Sequence, residues 1–206
     1  MRTDIIEEPI GALAEHGRVP IAFAVRSVFE VTGPAAGAAE FALAERRLDV
    51  PWVKDYDLID GERPARWAAC FDVANWGLFG AFADGVRVGG AVVAFDTAGV
   101  AMLEGRRDLA VLWDIRVAPP ARGRGAGSAL FRAAEAWAAA RGCRELKVET
   151  QNINVPACRC YARQGCALAE VHRLAYAGLP DEIQLIWRKK IRPAAGGAGK
   201  DTSPSA

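Results

Sequence analysis

The sequence predicts an α+β domain whose sheet mixes antiparallel and parallel neighbours, and three observations carry that reading. Phe79-Gly-Ala-Phe-Ala83 and the apolar run Val86 to Phe95 flank Asp84-Gly85, a dipeptide whose positive φ suits a two-residue β-hairpin. Between Gly127 and Arg141, apolar Leu130, Phe131, Ala134, Trp137 and Ala138 recur at helical spacing, and Gly142 follows as a left-handed cap. Strand patterns at Ala110 to Val117 and Glu145 to Gln151 bracket that helix, and a strand–helix–strand connection implies two parallel neighbours.

In chain order, the first ~25 residues are interrupted by Pro9, Gly11, Gly17 and Pro20, so no element is assigned to them. The hairpin opens at Gly77, a loop follows around Asp96 to Gly99, and the strand through Val117 is closed by Pro119-Pro120. After the second strand of the parallel pair, Asn154 is a good N-cap and Pro156 lies in the first turn, where its missing N–H does no harm. That helix runs to Gln164 before Gly165. Two last strands, Ala167 to Ala175 and Ile183 to Lys190, are separated by Gly178-Leu-Pro-Asp181. The expected organisation is therefore an N-terminal segment over 1–25, one domain over 26–192, and a disordered tail over 193–206, rich in Pro, Gly, Ala, Ser and Thr.

A chain of 206 residues with 51% hydrophobic and 25% charged residues can bury a real core, which excludes collagen-like, coiled-coil and disordered classes for its body. The net charge of +1 gives no global pull toward nucleic acid or an anionic membrane, so neither is expected as a partner. The start has no secretory pattern, and no apolar stretch reaches the ~18 residues of a membrane span. Five cysteines, Cys70, Cys143, Cys158, Cys160 and Cys166, read as free thiols of a cytoplasmic protein. His16 and His172 lie far apart, and Cys158-x-Cys160 lacks a second pair at zinc spacing, so no metal is expected.

The chemistry concentrates between the strand and the first helix. Arg122-Gly-Arg-Gly-Ala-Gly127 offers no Ser, Thr, Asp or Asn to cap the helix, which leaves its first amides free. Free amides, glycines allowing close approach and the charges of Arg122 and Arg124 suit a phosphate or pyrophosphate, though glycine-rich turns also arise for steric reasons. The segment fits neither the Walker pattern, for want of Gly-Lys-Ser/Thr, nor G-x-G-x-x-G, whose third glycine position falls on Ser128.

Asp114-Ile-Arg-Val117, then Arg122-x-x-Gly125-x-Gly127, then Asn154-x-x-Ala157-x-x-x-Tyr161-x-x-x-Gly165 resembles the acetyl-CoA-binding core of the GNAT family of N-acetyltransferases over about residues 75–190. Within that family Val148 to Asn154, Ala157-Cys158 before Tyr161, Leu174-Ala-Tyr176 and Glu182 to Trp187 are similar to the streptothricin acetyltransferases, as are Phe29-Glu-Val31 and Pro51 to Tyr56 more loosely. The resemblance implies a three-layer fold: a mixed, mostly antiparallel sheet with a splayed parallel central pair, flanked by helices. It also implies acetyl-CoA as co-substrate, a small-molecule amine as acceptor and, as in many relatives, a homodimer. Pyrophosphate would meet the turn Arg122, Gly123, Arg124, Gly125, Ala126, Gly127, and the pantetheine arm the strand Ile115, Arg116, Val117, with the Val117 N–H as oxyanion donor. Asn154 and Ala157 would flank the arm.

Tyr161 would be the general acid for the leaving thiolate, since a phenol near ~10 is reasonably matched to a thiol near ~8.5; the same residue could be a core aromatic. An ammonium near ~10.4 must lose a proton before attack, and Asp114 and Glu149 are the two candidate bases. Related enzymes often carry Glu where this chain has Trp113, which leaves Asp114 as the only acid there; it could equally be a buried carboxylate bonded to its surroundings. Trp52, Asp55, Tyr56 and Asp57, followed by Asp60 and Glu62, form an aromatic and acidic stretch that would draw a cationic amine or else be solvated surface. Cys158 and Cys160 carry no nucleophilic role, because transfer in the family is direct. The expected activity is acetylation of a small cationic amine such as streptothricin or a polyamine-like metabolite. A protein N-terminal or lysine acetyltransferase and a non-catalytic acyl-CoA sensor are the alternatives.

Overall fold

Asp84 and Gly85 adopt φ of 50° and 77° and join β4 (Gly77–Ala83) to β5 (Val86–Phe95), as the dipeptide predicts. The computed structural model describes residues 3–33, 41–59 and 63–193. In it the hairpin sits inside a seven-stranded sheet with β1 (Asp4–Glu8), β6 (Leu109–Val117), β7 (Glu145–Gln151), β8 (Ala167–His172) and β9 (Gln184–Lys190), in the order β1-β4-β5-β6-β7-β9-β8. Every neighbouring pair is antiparallel except β6 with β7, so the mixed sheet with one parallel pair is as expected.

Two faces of this sheet are covered. The helix α3 (Ala126–Ala140) crosses between the parallel strands and buries Leu130, Phe131, Ala134, Trp137 and Ala138, the same residues the periodicity selects. They pack on Phe79, Ala91, Val93, Ala110, Leu112, Leu146 and Val148, and Gly142 turns the chain at φ 80°. On the opposite face Leu78, Val92 and Val111 meet Leu13 of the short α1 (Leu13–His16) and Trp67 of α2 (Pro64–Cys70). The last helix, α4 (Val155–Arg163), packs between β7 and β8.

The N-terminal segment, unassigned from its sequence pattern, contains β1, a 3-10 turn (Ile10–Ala12) and α1. These are short because Pro9 and Gly17 interrupt them, and β1 owes its form to pairing with β4, a contact no local pattern reveals. A second, two-stranded sheet of β2 (Phe23–Thr32) and β3 (Ala42–Lys54) lies outside the main one. It is fastened to the end of β7: the Phe29 N–H donates to the Asn152 carbonyl at 2.9 Å, and Asn152 Nδ2 donates to the Phe29 carbonyl at 3.1 Å. The expected strands at Ala167 to Ala175 and Ile183 to Lys190 are each present but shorter, and α4 stops one residue before Gln164. Of the expected tail, 194–206 lies outside the described residues, as do Asp60 and Glu62.

One close approach fixes the seat of α1. A Cβ on Gly90 of β5 would lie 2.3 Å from His16 Nδ1 and 2.9 Å from the Phe79 carbonyl oxygen, so glycine is needed for the buried His16 ring to lie on the sheet. Gly90→Ala is expected to lower the unfolding free energy by about 1–3 kcal/mol. Denaturant titration against the wild type checks it, and unchanged stability would mean that His16 can move aside at no cost.

Candidate active site

The parallel ladder is short. It runs from Leu109↔Glu145 to Leu112↔Val148 and stops. Immediately beyond it Trp113 is a bulge, because Val93 of β5 faces Leu112 while Val92 faces Asp114. From there β6 follows β5 to Val117↔Gly89 and β7 follows β9 to Gln151↔Gln184, so the two central strands diverge and open a wedge.

One side of the wedge carries unpaired backbone donors. The Ala118 N–H donates to the Val88 carbonyl at 2.8 Å, and antiparallel alternation then turns the N–H groups of Ile115 and Val117 away from β5, toward the wedge. The glycine turn follows. Gly123 and Gly125 hold φ of 73° and 93°, and the first bond of α3 runs from the Ala129 N–H to the Gly125 carbonyl at 3.0 Å. No side chain caps this helix, so the amides of Ala126, Gly127 and Ser128 have no helical partner, a geometry that suits an anion. Arg124 is exposed beside them. Arg122 is used otherwise: its Nε donates to the Val117 carbonyl at 2.7 Å, and its Nη2 reaches the carbonyls of Pro20 and Ile21 at 3.3 and 3.4 Å. It staples the turn to β6 and to the N-terminal segment.

Two predicted residues need correction. The Arg116 side chain, 2% exposed, turns from the cofactor edge to the opposite face of the sheet. There its Nε and Nη2 donate to Asp114 at 2.9 and 2.7 Å, and its Nη1 to Asp57 at 3.1 Å and to the Val19 carbonyl at 3.2 Å. Asp114 is likewise committed, with His16 Nε2 at 2.7 Å from its Oδ1. Burial would raise this carboxyl, but the bonds from Arg116 and His16 outweigh it and hold the group well below the usual carboxylate range. Asp114 is thus a buried counter-ion with both oxygens taken, which does not suit the general-base role.

Glu149 has the free position. It lies half-buried on the same face of β7 as Gln151 and accepts a hydrogen bond from Tyr176 O–H at 2.6 Å; its second oxygen takes none among the described residues. Gln151 Nε2 donates to the Tyr176 oxygen at 2.9 Å, and Gln151 Oε1 accepts from Tyr56 O–H. Burial pushes both phenols well up, with the nearby carboxylates adding to it: Glu182 on Tyr56, Glu149 on Tyr176. Tyr56 is followed by Asp57, so this loop bonds to Gln151 of β7 and Arg116 of β6 through adjacent residues and straps the wedge on this face. Asp55 caps the strap by accepting the Asp57 N–H at 3.0 Å, whereas Trp52 stands 41% exposed on β3, in register with Val25. Of the acidic stretch, Tyr56 and Asp57 reach the site, and Asp57 faces an arginine of this chain.

At the start of α4, Asn154 Oδ1 accepts the Ala157 N–H at 3.2 Å, the predicted cap. Tyr161, 5% exposed, packs its ring against Phe131, tilted by 41° with centroids 6.3 Å apart. Its hydroxyl takes no protein partner among the described residues, yet it is not among the fully enclosed polar atoms, so the oxygen touches open space. Burial pushes this phenol well above its ordinary value, and its proton stays on at neutral pH. The cysteines are free, and burial raises Cys158 to about 12 and Cys143 to about 11, which keeps both as inert thiols. Among the described residues no group of three His, Cys, Asp or Glu is placed to hold a metal, and no helix is long and apolar enough to cross a membrane.

Tyr176, Gln151 and His16 carry no site role in the sequence reading. Their partners lie 25, 95 and 98 residues away, so no spacing announces them.

The Acetyltransferase (GNAT) family model matches residues 43–166, more than half of the chain. A streptothricin acetyltransferase of Streptomyces lavendulae is 32% identical over 160 residues, which is 78% of this chain and 79% of that protein. One of Escherichia coli is 31% identical over 168 residues, 80% of this chain and 83% of that protein. The structure of a nourseothricin acetyltransferase, 26% identical, superposes with a TM-score of 0.70 over 92% of this chain and 99% of that one. A Bacillus anthracis protein solved in complex with acetyl coenzyme A, 19% identical, shares the fold with a TM-score of 0.71 over 92% of this chain and 100% of that one. The chain therefore belongs to the GNAT family and is an acetyl-CoA-dependent acetyltransferase.

Proposed function

We propose that the enzyme acetylates a primary amine of a small cationic acceptor of the streptothricin kind, by direct attack of the amine in a ternary complex. The observation that carries this reading is the wedge, which has donors on one side and an acid–base pair of opposite character on the other. The curated relatives named streptothricin acetyltransferase, matched over most of their length, support the choice of acceptor.

The chain's own groups divide the work. The amides of Ala126, Gly127 and Ser128 bind the pyrophosphate, and exposed Arg124 adds charge. The N–H groups of Ile115 and Val117 hold the pantetheine arm along β6, with the Val117 amide directed at the thioester oxygen as charge develops there. Asn154 and Ala157 bound the arm from the N-terminus of α4. Glu149, through its free oxygen, attracts the ammonium and accepts a proton from it; the phenols of Tyr56 and Tyr176 line the same face and suit a cation. As the amine nitrogen bonds to the acetyl carbon and the carbon–sulfur bond breaks, Tyr161 delivers its proton to the departing thiolate, and the second proton shed by that nitrogen restores the phenol through solvent.

Gly127 has ordinary helical φ, and a Cβ there meets only Val117 Cγ2, at 3.8 Å. Gly127→Leu is therefore expected to fold normally yet weaken CoA binding at least tenfold in calorimetry, by shielding the helix amides. Unchanged affinity would remove the turn from the cofactor site.

Wild-type protein is expected to release CoA thiol when given acetyl-CoA and streptothricin. Tyr161→Phe lowers that turnover by about 10²-fold or more with little change in the KM for acetyl-CoA. No release with streptothricin or polyamines, but release with peptides, would overturn the acceptor.

The two carboxylates separate by their failures. Glu149→Gln is expected to keep its melting temperature and lose turnover, whereas Asp114→Asn, which leaves Arg116 under-compensated, loses about 3–5 kcal/mol of stability. Thermal melts paired with thiol release decide it; a stable, inactive Asp114→Asn would return the base to β6.

A further inference from the structure

Tyr56, Gln151, Tyr176 and Glu149 form a hydrogen-bond chain with only one workable polarity. Tyr56 O–H donates to Gln151 Oε1, Gln151 Nε2 donates to the Tyr176 oxygen at 2.9 Å, and Tyr176 O–H donates to Glu149 Oε1 at 2.6 Å. Exchanging O and N of the Gln151 amide would draw the single Tyr176 proton onto Gln151. That would set the lone pairs of the phenol oxygen and the carboxylate against each other at hydrogen-bond distance. With the amide as it stands, the Tyr176 proton has one place to go. Burial keeps both phenols protonated, so they remain donors across the working pH range.

We propose that Tyr176 is a positioning residue of the acetyl transfer: it pins one oxygen of Glu149, turns the other toward the acceptor amine, and is itself oriented by Gln151 and Tyr56. This rests on the reading of Glu149 as the group that receives the ammonium proton. Tyr176 belongs to the segment between β8 and β9, and that segment is tied to the outer hairpin at both ends. Arg173 Nη2 donates to the Val31 carbonyl at 2.7 Å, and Glu182 accepts from Lys54 Nζ at 2.6 Å, a pair whose side chains are 7% and 10% exposed. Asn152 adds a third tie by accepting the Ile183 N–H at 2.8 Å while donating to Phe29. The carboxylate on β7 is therefore aimed by a tyrosine whose own place depends on the second sheet.

The other charged groups of this polar face are already matched. Asp114 and Asp57 sit with Arg116, Glu182 with Lys54, and Lys147 with Glu104 at 2.7 Å. The Tyr176 proton is thus the one hydrogen bond that the Glu149 carboxylate receives among the described residues.

The test uses the full chain labelled with 13C at glutamate carboxyls, with the Glu149 resonance assigned by its loss in Glu149→Gln. Tyr176→Phe keeps the ring and removes the donor, and is expected to move the Glu149 carboxyl resonance, because one oxygen loses its hydrogen bond. Tyr56→Phe, at the far end of the chain, moves it in the same direction by less and serves where Tyr176→Phe folds poorly. With streptothricin, Tyr176→Phe is expected to lower kcat/KM about tenfold or more and leave the KM for acetyl-CoA unchanged. A Glu149 resonance unmoved in both variants overturns the proposal. A moved resonance with full activity in Glu149→Gln leaves the pinning intact and instead overturns the proton-accepting role of Glu149.

Discussion

Four parallel rungs join β6 to β7, and beyond them each strand keeps its outer antiparallel partner. The outer pairing is what makes the parting stable, since the backbone groups lost at the centre remain bonded on the flanks or turn into the cleft. The Trp113 bulge sets the point of departure. It also inverts the facing of the last residues of β6, so that Asp114 and Arg116 go to one face while Ile115 and Val117 stay with the α3 core. Backbone donors facing the wedge and a set of buried ions on the opposite face thereby come from alternate residues of one short stretch.

The ions on the acceptor face are nearly all spent on one another. His16, Asp114, Arg116 and Asp57 form a buried cluster that ties α1 and the Asp55 to Asp57 strap to β6. A buried pair gains little over an apolar one, but losing one member leaves an uncompensated charge in a dry place, so the cluster specifies how these segments dock more than how strongly they hold. Glu149 differs in keeping an oxygen free among the described residues, and that difference separates the two acids on adjacent strands.

Much of this was legible where the physics is local. The Asp84-Gly85 turn, the α3 stripe, the Asn154 cap and the uncapped glycine turn each follow from a few neighbouring residues, and each is as the sequence predicts. The family resemblance added the splay of the parallel pair and singled out Tyr161. What could not be read is non-local. Asp114 and Glu149 look alike in sequence, and only the arrival of His16 and Arg116 on one and Tyr176 on the other tells them apart. Arg116 looked like part of the cofactor strand because the bulge that reverses its facing has no signature of its own. The outer hairpin escaped notice too, since β3 is exposed along most of its length and shows little apolar alternation.

The strap has a mechanical meaning as well. Tyr56 grips β7 and Asp57 grips β6, and the two are consecutive residues, so their separation is fixed by one peptide unit and two side chains. Widening the cleft would have to release one grip or the other, and the Arg116 end lies in a buried cluster. The aperture is therefore held by the chain's own bonds, and on the proposed reading an acceptor that fits it would meet groups already in place, with little ordering left to be done on binding. On that reading, selectivity in such a cleft is a matter of gauge: a change of length in the loop between β3 and α2 would alter which acceptors enter while leaving the strands that line it unchanged.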